Sequence, residues 1–407
     1  MRFLHAADIH LDSPLAGLAR RGAIPPEVTR DCTRRAFTNL VDLARDEDVA
    51  FVLIAGDLYD ADWKDFSTGL FFAAEMRRLG RPCILIHGNH DAASVLTKRL
   101  EPQPNVHVMS SHKVDRHELP GLGVVIHGRS FPNRAVLEDM SAAYPPAERG
   151  MFNIGLLHSS AEDPGAHQTY APCSLAALAA KGYDYWALGH IHQRAVLQQR
   201  PWIVFPGNIQ GRHVRETGAK GCTLVTVENG SVAGVAHRPL DVLRWAQVGV
   251  DLGGAETLTE AAARLRQALD AAAQEADGRP LIARLSLTGA TRLHPALLAD
   301  PDALDGECRN AAAAVSADLH VEQVRLATSP PAQGMAADAL AQLAEPFHAA
   351  LDDADITDAL LAEFRRLRQL LPSQSDADLP DSVEALRALL PEAWQIVAHG
   401  LAGSDAA

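Results

Sequence analysis

Apolar residues in the first half of the chain come in short unbroken runs, and each run stops at a residue type that binds metals. Phe3 to Ala7 stops at Asp8 and His10. The run AFVLIA, Ala50 to Ala55, stops at Gly56 and Asp57, with Asp60 three residues on. CILIH, Cys83 to His87, runs into Gly88-Asn89-His90-Asp91. Phe152 to Leu157 stops at His158, and Tyr183 to Leu188 runs into Gly189-His190-Ile191-His192. Short apolar runs bounded by turn residues predict strands buried on both faces, as in parallel sheets covered by helices. Between the first runs the period changes: Phe37, Leu40, Val41 and Ala44 predict a helix from about Thr29 to Arg45, and another is expected from about Phe66 to Leu79. This β-α-β-α-β alternation predicts a layered α/β domain.

Further on, Val106–Val108 and Val124–His127 read as short strands, Ser174–Lys181 as a helix, and Trp202–Phe205 as a strand ending in Pro206-Gly207-Asn208. Cys222–Val227 and Val232–His237, split by Asn229-Gly230, predict a hairpin. The composition shifts near 240–255. Thr257-Leu258-Thr259-Glu260 has the form of a capping box opening an Ala-rich helix to about Ala276. Leu281–Leu287 and Leu319–Ala327 read as alternating strands. After Pro330-Pro331 the chain reads as helical. Three domains are expected: 1–245, a small α/β unit over 246–330, and a helical region over 331–407.

Composition narrows the class. Hydrophobic and charged fractions of 47% and 22% are ordinary for a globular protein. No apolar run approaches the ~18 residues of a membrane span, and the first run is cut short by charge, so no leader is expected. Five scattered cysteines without a CxxC pair predict reduced structural thiols in a cytoplasmic protein. Residues 1–240 hold 25 basic and 25 acidic side chains; residues 241–407 hold 12 and 26, with no lysine, and carry the whole net charge of −14. The first region is therefore not repelled by polyanions, and the second suits protein contacts better than phosphate backbone.

Gathered together, the run ends supply Asp8, His10, Asp57, Asn89, His90, His158, His190 and His192. Oxygen and imidazole donors without thiolate suit two divalent ions such as Mn, Fe or Zn. A carboxylate can bridge two metals, and Asp57, in the middle of the set, is the natural bridge. Such a pair activates water and clamps the oxygens of an in-line phosphoryl displacement. His5, His87, His107, His112, His117 and His127 read as ordinary core or surface histidines, and Asp91 as a helix cap.

The ordered series DxH, GDxxD, GNHD, His158 and GHxH resembles the calcineurin-like metallophosphoesterase superfamily over about residues 1–240. DIHLDSP at Asp8–Pro14, GDLYD and GNHD are similar to its DNA-repair exonuclease branch, the SbcD-like nucleases. YAPCSL at Tyr170–Leu175, YDYWALGHIH at Tyr183–His192 and FPGNIQGRHVRETGAKGC at Phe205–Cys222 resemble the YhaO family. The resemblance implies a four-layer α/β/β/α sandwich with a small α/β cap domain and a C-terminal helical region. It implies that Asp8, His10, Asp57 and His192 bind one metal, and Asp57, Asn89, His158 and His190 the other. The pair is expected to be Mn²⁺, with Fe, Mg or Zn as alternatives. It implies that His90 assists the leaving oxygen, oriented by Asp60.

The expected reaction is hydrolysis of DNA phosphodiester bonds by an exonuclease subunit. Two rivals are carried: a small-molecule or cyclic-nucleotide phosphodiesterase, and a non-catalytic DNA-end-binding scaffold. Arg194, Arg200, Arg212, His213, Arg215 and Lys220, joined by Arg129 and Arg134, are expected to form a rim that touches the DNA backbone. Leucine stripes in Ile356–Leu371 and Ser382–His399 are expected either to pack internally or to dock a coiled-coil ATPase, SbcC-like or YhaN-like, as the resembled families do. A homodimer is a further expectation of the resemblance.

Overall fold

The computed structural model describes residues 1–13, 15, 24–60, 66–93, 103–161, 170–331, 347, 349, 353–370 and 379–403. Pro14 and Leu371, which belong to motifs named above, lie outside them. By internal contacts the chain divides into two compact units. The first comprises Met1–Gln247, Asp270–Arg284 and Val315–Glu322; the second comprises Val248–Leu269, Leu285–Ala314 and Gln323–Ala407.

The first unit is built on two six-stranded sheets. Strands β1 (Arg2–Ala6), β2 (Phe51–Ala55), β3 (Cys83–Ile86) and β4 (Val106–Val108) run parallel in the first sheet. Strands β5 (Asp115–Leu119), β6 (Val124–Gly128), β7 (Phe152–His158), β8 (Tyr185–Gly189), β9 (Ala195–Gln199) and β10 (Trp202–Phe205) make the second, in the order β5-β6-β7-β8-β10-β9. The hairpin of β11 (Gly221–Glu228) and β12 (Ser231–Pro239) completes the first sheet along β1. Side chains alternate across each strand. Phe3, Phe51, Leu53, Ile84 and Ile86 therefore face inward, where they meet Phe152, Ile154, Leu156, Tyr185 and Ala187 of the second sheet. Phe3 stacks on Phe51 with ring centroids 4.8 Å apart and meets Tyr185 edge-on at 5.4 Å.

The opposite faces are covered by helices. Leu4, Val52, Ile54 and Leu85 pack under helices Cys32–Asp46 and Phe66–Leu79, through Phe37, Leu40, Val41, Phe72 and Met76. Leu157, Trp186, Leu188 and Ile203 pack under Tyr144, Leu178 and Tyr183, near the short helix Leu175–Ala180. The result is the expected α/β/β/α order of layers. Gly155 is required where β7 passes Trp186, because a Cβ there would lie 2.2 Å from the indole Cε3.

Two strands of the second sheet were not expected from the pattern. β5 (DRHEL) and β9 (AVLQQ) are the antiparallel edges of the sheet, and an edge strand that keeps polar residues carries little apolar signal. The helix expected from Thr29 starts at Cys32, after a left-handed residue at Asp31.

Strands β13 (Arg244–Asp251), β14 (Leu281–Ala290) and β15 (Leu319–Ser329) form a three-stranded sheet. Helix Leu258–Glu275 begins as the capping box predicts, with the Glu260 N–H donating to Thr257 Oγ1 at 3.2 Å. Helices Ala354–Leu370 and Val383–Gly403 follow in the second unit. Within that unit His294 joins Thr328 Oγ1 to Gln395 Oε1, so the last helix is tied to the helix His294–Ala299. Among the described residues no helix is long and apolar enough to cross a membrane. The five cysteines are buried and free.

Candidate metal centre

The parallel pairing of β1 with β2 does not stop at the strand ends. The Asp8 N–H donates to Gly56 O, the His10 N–H to Asp57 O and the Leu11 N–H to Leu58 O, at 2.9–3.0 Å. This holds two loops side by side with their side chains turned to one place. The turn is made by left-handed backbone at Asp8 (φ 51°), His10 (φ 45°) and Asp57 (φ 52°), and again at His190 (φ 103°) on the other sheet. Left-handed residues with a side chain cost energy, and such costs concentrate at functional sites. Gly56 and Gly88 make the room: a Cβ on Gly56 would lie 2.4 Å from His158 Nδ1, and one on Gly88 2.2 Å from Asp57 Oδ1.

The first sheet thus delivers Asp8, His10, Asp57, Asn89 and His90, and the second His158, His190 and His192. Ligand atoms of Asp8, His10 and His192 lie within 4.8 Å of one another, as do those of Asp8, Asp57 and His158, and those of His10, Asp60 and His90. Asp57 Oδ2 is 3.9 Å from His10 Nε2 and 3.5 Å from His158 Nε2, between the two groups of imidazoles. His158 Nε2 is also 3.0 Å from Asn89 Oδ1. The His190 N–H donates to both oxygens of Asp8 at 3.0–3.1 Å, and its ring stands 5.2 Å from that of His158. His10 and His192 bring their Nε2 atoms to 3.3 Å.

Several rings are fixed from behind. His158 Nδ1 is bonded to the Ala55 carbonyl at 2.9 Å, and His192 Nδ1 to Glu216 Oε1 at 2.6 Å. A ring that donates Nδ1–H leaves Nε2 as a lone pair, the form a metal needs. Burial holds these imidazoles neutral: His158 is lowered to about 4, and His10 and His192 are lowered as well. Burial, with repulsion from Asp57, raises Asp8, and burial raises Asp57. Two crowded carboxylates and several neutral imidazoles are a set of donors short of positive charge. Divalent cations supply what is missing, and the oxygen and nitrogen donors suit them. His10 turns Nε2 toward His192 and Asp57, and its buried Nδ1 has no hydrogen-bond partner among the described residues.

His90 is held differently. Its Nδ1 is 2.8 Å from Asp60 Oδ1, and its N–H donates to Asp57 Oδ1 at 2.9 Å. Burial would lower the ring, but the Asp60 hydrogen bond and the charges of Asp57 and Asp60 outweigh it and raise it. Asp60 likewise resists burial through His90 and Ser13, whose hydroxyl donates to it at 2.6 Å, and stays far below the usual carboxylate range.

One expectation is corrected, the place of Lys220 in the rim, and Asp91 does more than cap its helix. Asp91 lies within the short helix Asn89–Ala93, and its carboxylate accepts N–H bonds from Gly88, Leu58 and Tyr59, tying the Asp57 loop to the Asn89 loop. Lys220 is buried and donates to the His192 carbonyl at 3.0 Å, so it braces the GHxH loop and is no part of an outer rim. Arg129 Nε donates to Ser111 O. Arg200, Arg215 and Arg134 are exposed. Arg194 is half-buried, with its charge acting on the buried Tyr185 phenol and on His237. Arg212 sits beside Asp60 and Glu216. Glu216 was not singled out from the sequence. Its neighbourhood, GRHVRETG, reads as a basic loop, and nothing in the spacing marks the one acid in it as the partner of His192.

Residues 1–194 match the calcineurin-like phosphoesterase family, and residues 245–329 match the middle domain of the metallophosphoesterase YhaO. The chain is 34% identical over 299 residues to the uncharacterized metallophosphoesterase YhaO of Bacillus subtilis (strain 168), covering 71% of this chain and 72% of that protein. It is 27% identical over 214 residues to the DNA double-strand break repair protein Mre11 of Methanopyrus kandleri, covering 47% of this chain and 44% of that protein. It is 26% identical over 211 residues to the protein of the same name from Saccharolobus solfataricus, covering 49% and 51%. The chain therefore spans about half the length of these Mre11 relatives. With a metal-binding donor set at the strand ends and a YhaO relative matched over most of its length, the chain belongs to the calcineurin-like metallophosphoesterases and, within them, to the YhaO family.

Proposed function

We propose that this protein is a two-metal phosphodiesterase acting on DNA, with residues 1–245 as the catalytic domain, 246–330 as a cap and 331–407 as a partner-docking region. The carrying observation is the His90–Asp60 pair beside the donor cluster. In this reading Asp8, His10, Asp57 and His192 hold one ion and Asp57, Asn89, His158 and His190 the other, with Mn²⁺ preferred. When bound, the two ions supply an activated water and neutralise phosphate charge. The chain's own part is orientation and proton delivery. Ala55 O and Glu216 keep the His158 and His192 rings aimed. Asp60 favours the protonated ring of His90, which gives its Nε2 proton to the departing oxygen as the P–O bond breaks. Water oxygen ends on phosphorus and the alcohol leaves protonated.

DNA as substrate is supported by the Mre11 relatives and by the exposed Arg215 near the GHxH loop. Docking of a coiled-coil ATPase is supported by Ile356, Leu360 and Leu367, which stand exposed on helix Ala354–Leu370. A small phosphodiester is the second reading, favoured because Lys220 and Arg212 turn inward and thin the expected basic rim. One assay with Mn²⁺ separates the readings: linear duplex, circular single-stranded DNA and a chromogenic phosphodiester, wild type beside His90→Ala. Cleavage of linear duplex that falls by about 10²–10⁴-fold in the variant, with metals retained, is expected. Turnover of the chromogenic substrate alone favours the second reading. Near-normal turnover by His90→Ala removes the assigned role of His90.

A further inference from the structure

Arg212 lies where two hydrogen-bonded pairs of the site meet. Its Nη1 donates to Ser13 Oγ at 3.2 Å and is 3.7 Å from Asp60 Oδ2. Its Nη2 is 3.6 Å from Glu216 Oε1 and 3.5 Å from His192 Nδ1. Its backbone N–H donates to the second Glu216 oxygen at 2.7 Å. Asp60 holds His90, and Glu216 holds His192. One guanidinium therefore spans the two carboxylates that aim two different imidazoles. Its side chain is only 15% exposed. An arginine that only reads backbone phosphates keeps its head toward solvent, as the exposed Arg215 does.

We infer that Arg212 is a positioning residue, which fixes Asp60 and Glu216 relative to each other and so couples the aim of His90 to the aim of His192. Its kinetic consequence rests on the phosphodiesterase reading; its effect on metal binding rests only on His192 being a metal ligand. The side-chain type matters. A planar fork reaches two carboxylates at once, whereas an ammonium is a single point charge. Partners that orient a ligand imidazole govern affinity and activity together, commonly by about 10–100-fold.

The test uses the full chain as Arg212→Gln, Arg212→Lys, Glu216→Gln and the Arg212→Gln/Glu216→Gln pair. Mn²⁺ affinity is measured by calorimetry, kcat and KM on the chromogenic phosphodiester, and folding by thermal melts. Arg212→Gln is expected to weaken Mn²⁺ binding and kcat by about 10-fold or more with KM nearly constant. Arg212→Lys, which keeps the charge and guards against a failure to fold, is expected to recover only part. The double variant should bind Mn²⁺ no more weakly than Glu216→Gln alone, because the two act through one another. A raised KM with unchanged Mn²⁺ affinity would overturn the inference in favour of direct phosphate contact, and fully additive losses would show that the residues act independently. If the wild type cleaves no phosphodiester, the proposed function fails while the Mn²⁺ measurements still decide the role of Arg212.

Discussion

The middle of each sandwich strand and its C-terminal end obey opposite rules. In the middle, Leu53, Ile84, Ile154 and Ala187 are buried, apolar and packed in ordinary extended backbone. A few residues on, Asp8, His10, Asp57 and His190 are as well buried but polar, crowded and left-handed. The first region stabilises the fold through area removed from water. The second works against folding, because it buries carboxylates beside one another and bends backbone into costly conformations. One set of strands can do both because the strained turns begin only after the ladder of β1, β2 and β3 has fixed their positions. Stability is thus concentrated where there is no chemistry.

The largest test of this contrast lies in the interior. Leu53→Ala is expected to lower stability by about 2–5 kcal/mol, read from urea or thermal unfolding, while the folded variant keeps its full metal complement. A loss below about 1 kcal/mol would break the claim that the strand middles carry the fold.

The rim should respond to metal. Chain stripped with a chelator and given free Mn²⁺ about 100-fold above its Kd should gain about 2.7 kcal/mol, seen as a higher melting temperature. The gain reflects cations neutralising Asp8 and Asp57. An unchanged melting temperature would mean that these carboxylates are not the liability the geometry implies.

This division also explains what was legible in the sequence. Buried parallel strands announce themselves as apolar runs, so β1, β2, β3, β7 and β8 and the donors at their ends could be read directly. Edge strands β5 and β9 could not, since their exposed positions admit Arg116, Glu118 and Gln199. The direct donor set follows the strands; its supports do not. Asp91, Glu216 and Lys220 reach the site through hydrogen bonds between loops far apart in sequence, and the same residue types at the same spacings would serve equally as caps or surface charges. Arg212 was found as a charge but not as a strut, because the bridge from Asp60 to Glu216 exists only once the loops are folded together.

His5 sharpens the comparison further, because it is a histidine in the strand-middle region. It faces inward on β1, with Nδ1 3.0 Å from the Tyr185 hydroxyl and Nε2 3.0 Å from the Leu188 carbonyl. The carbonyl can only accept, so Nε2 carries the proton and the tyrosine donates to Nδ1. Burial lowers the ring to about 3, against a smaller upward pull from the Leu188 bond. The unfolded chain takes up a proton near pH 6.5 that the folded chain refuses until about pH 3, so this group removes stability as pH falls through that window. The wild-type advantage over His5→Gln should therefore shrink by about 2 kcal/mol between about pH 7.5 and about pH 5. Denaturant unfolding of both chains with chelator present measures it. His10, His158 and His192 titrate in both chains and cancel in the difference. A gap that stays constant with pH would mean that His5 is protonated in the folded sandwich, and that the strand middles tolerate charge as the rim does.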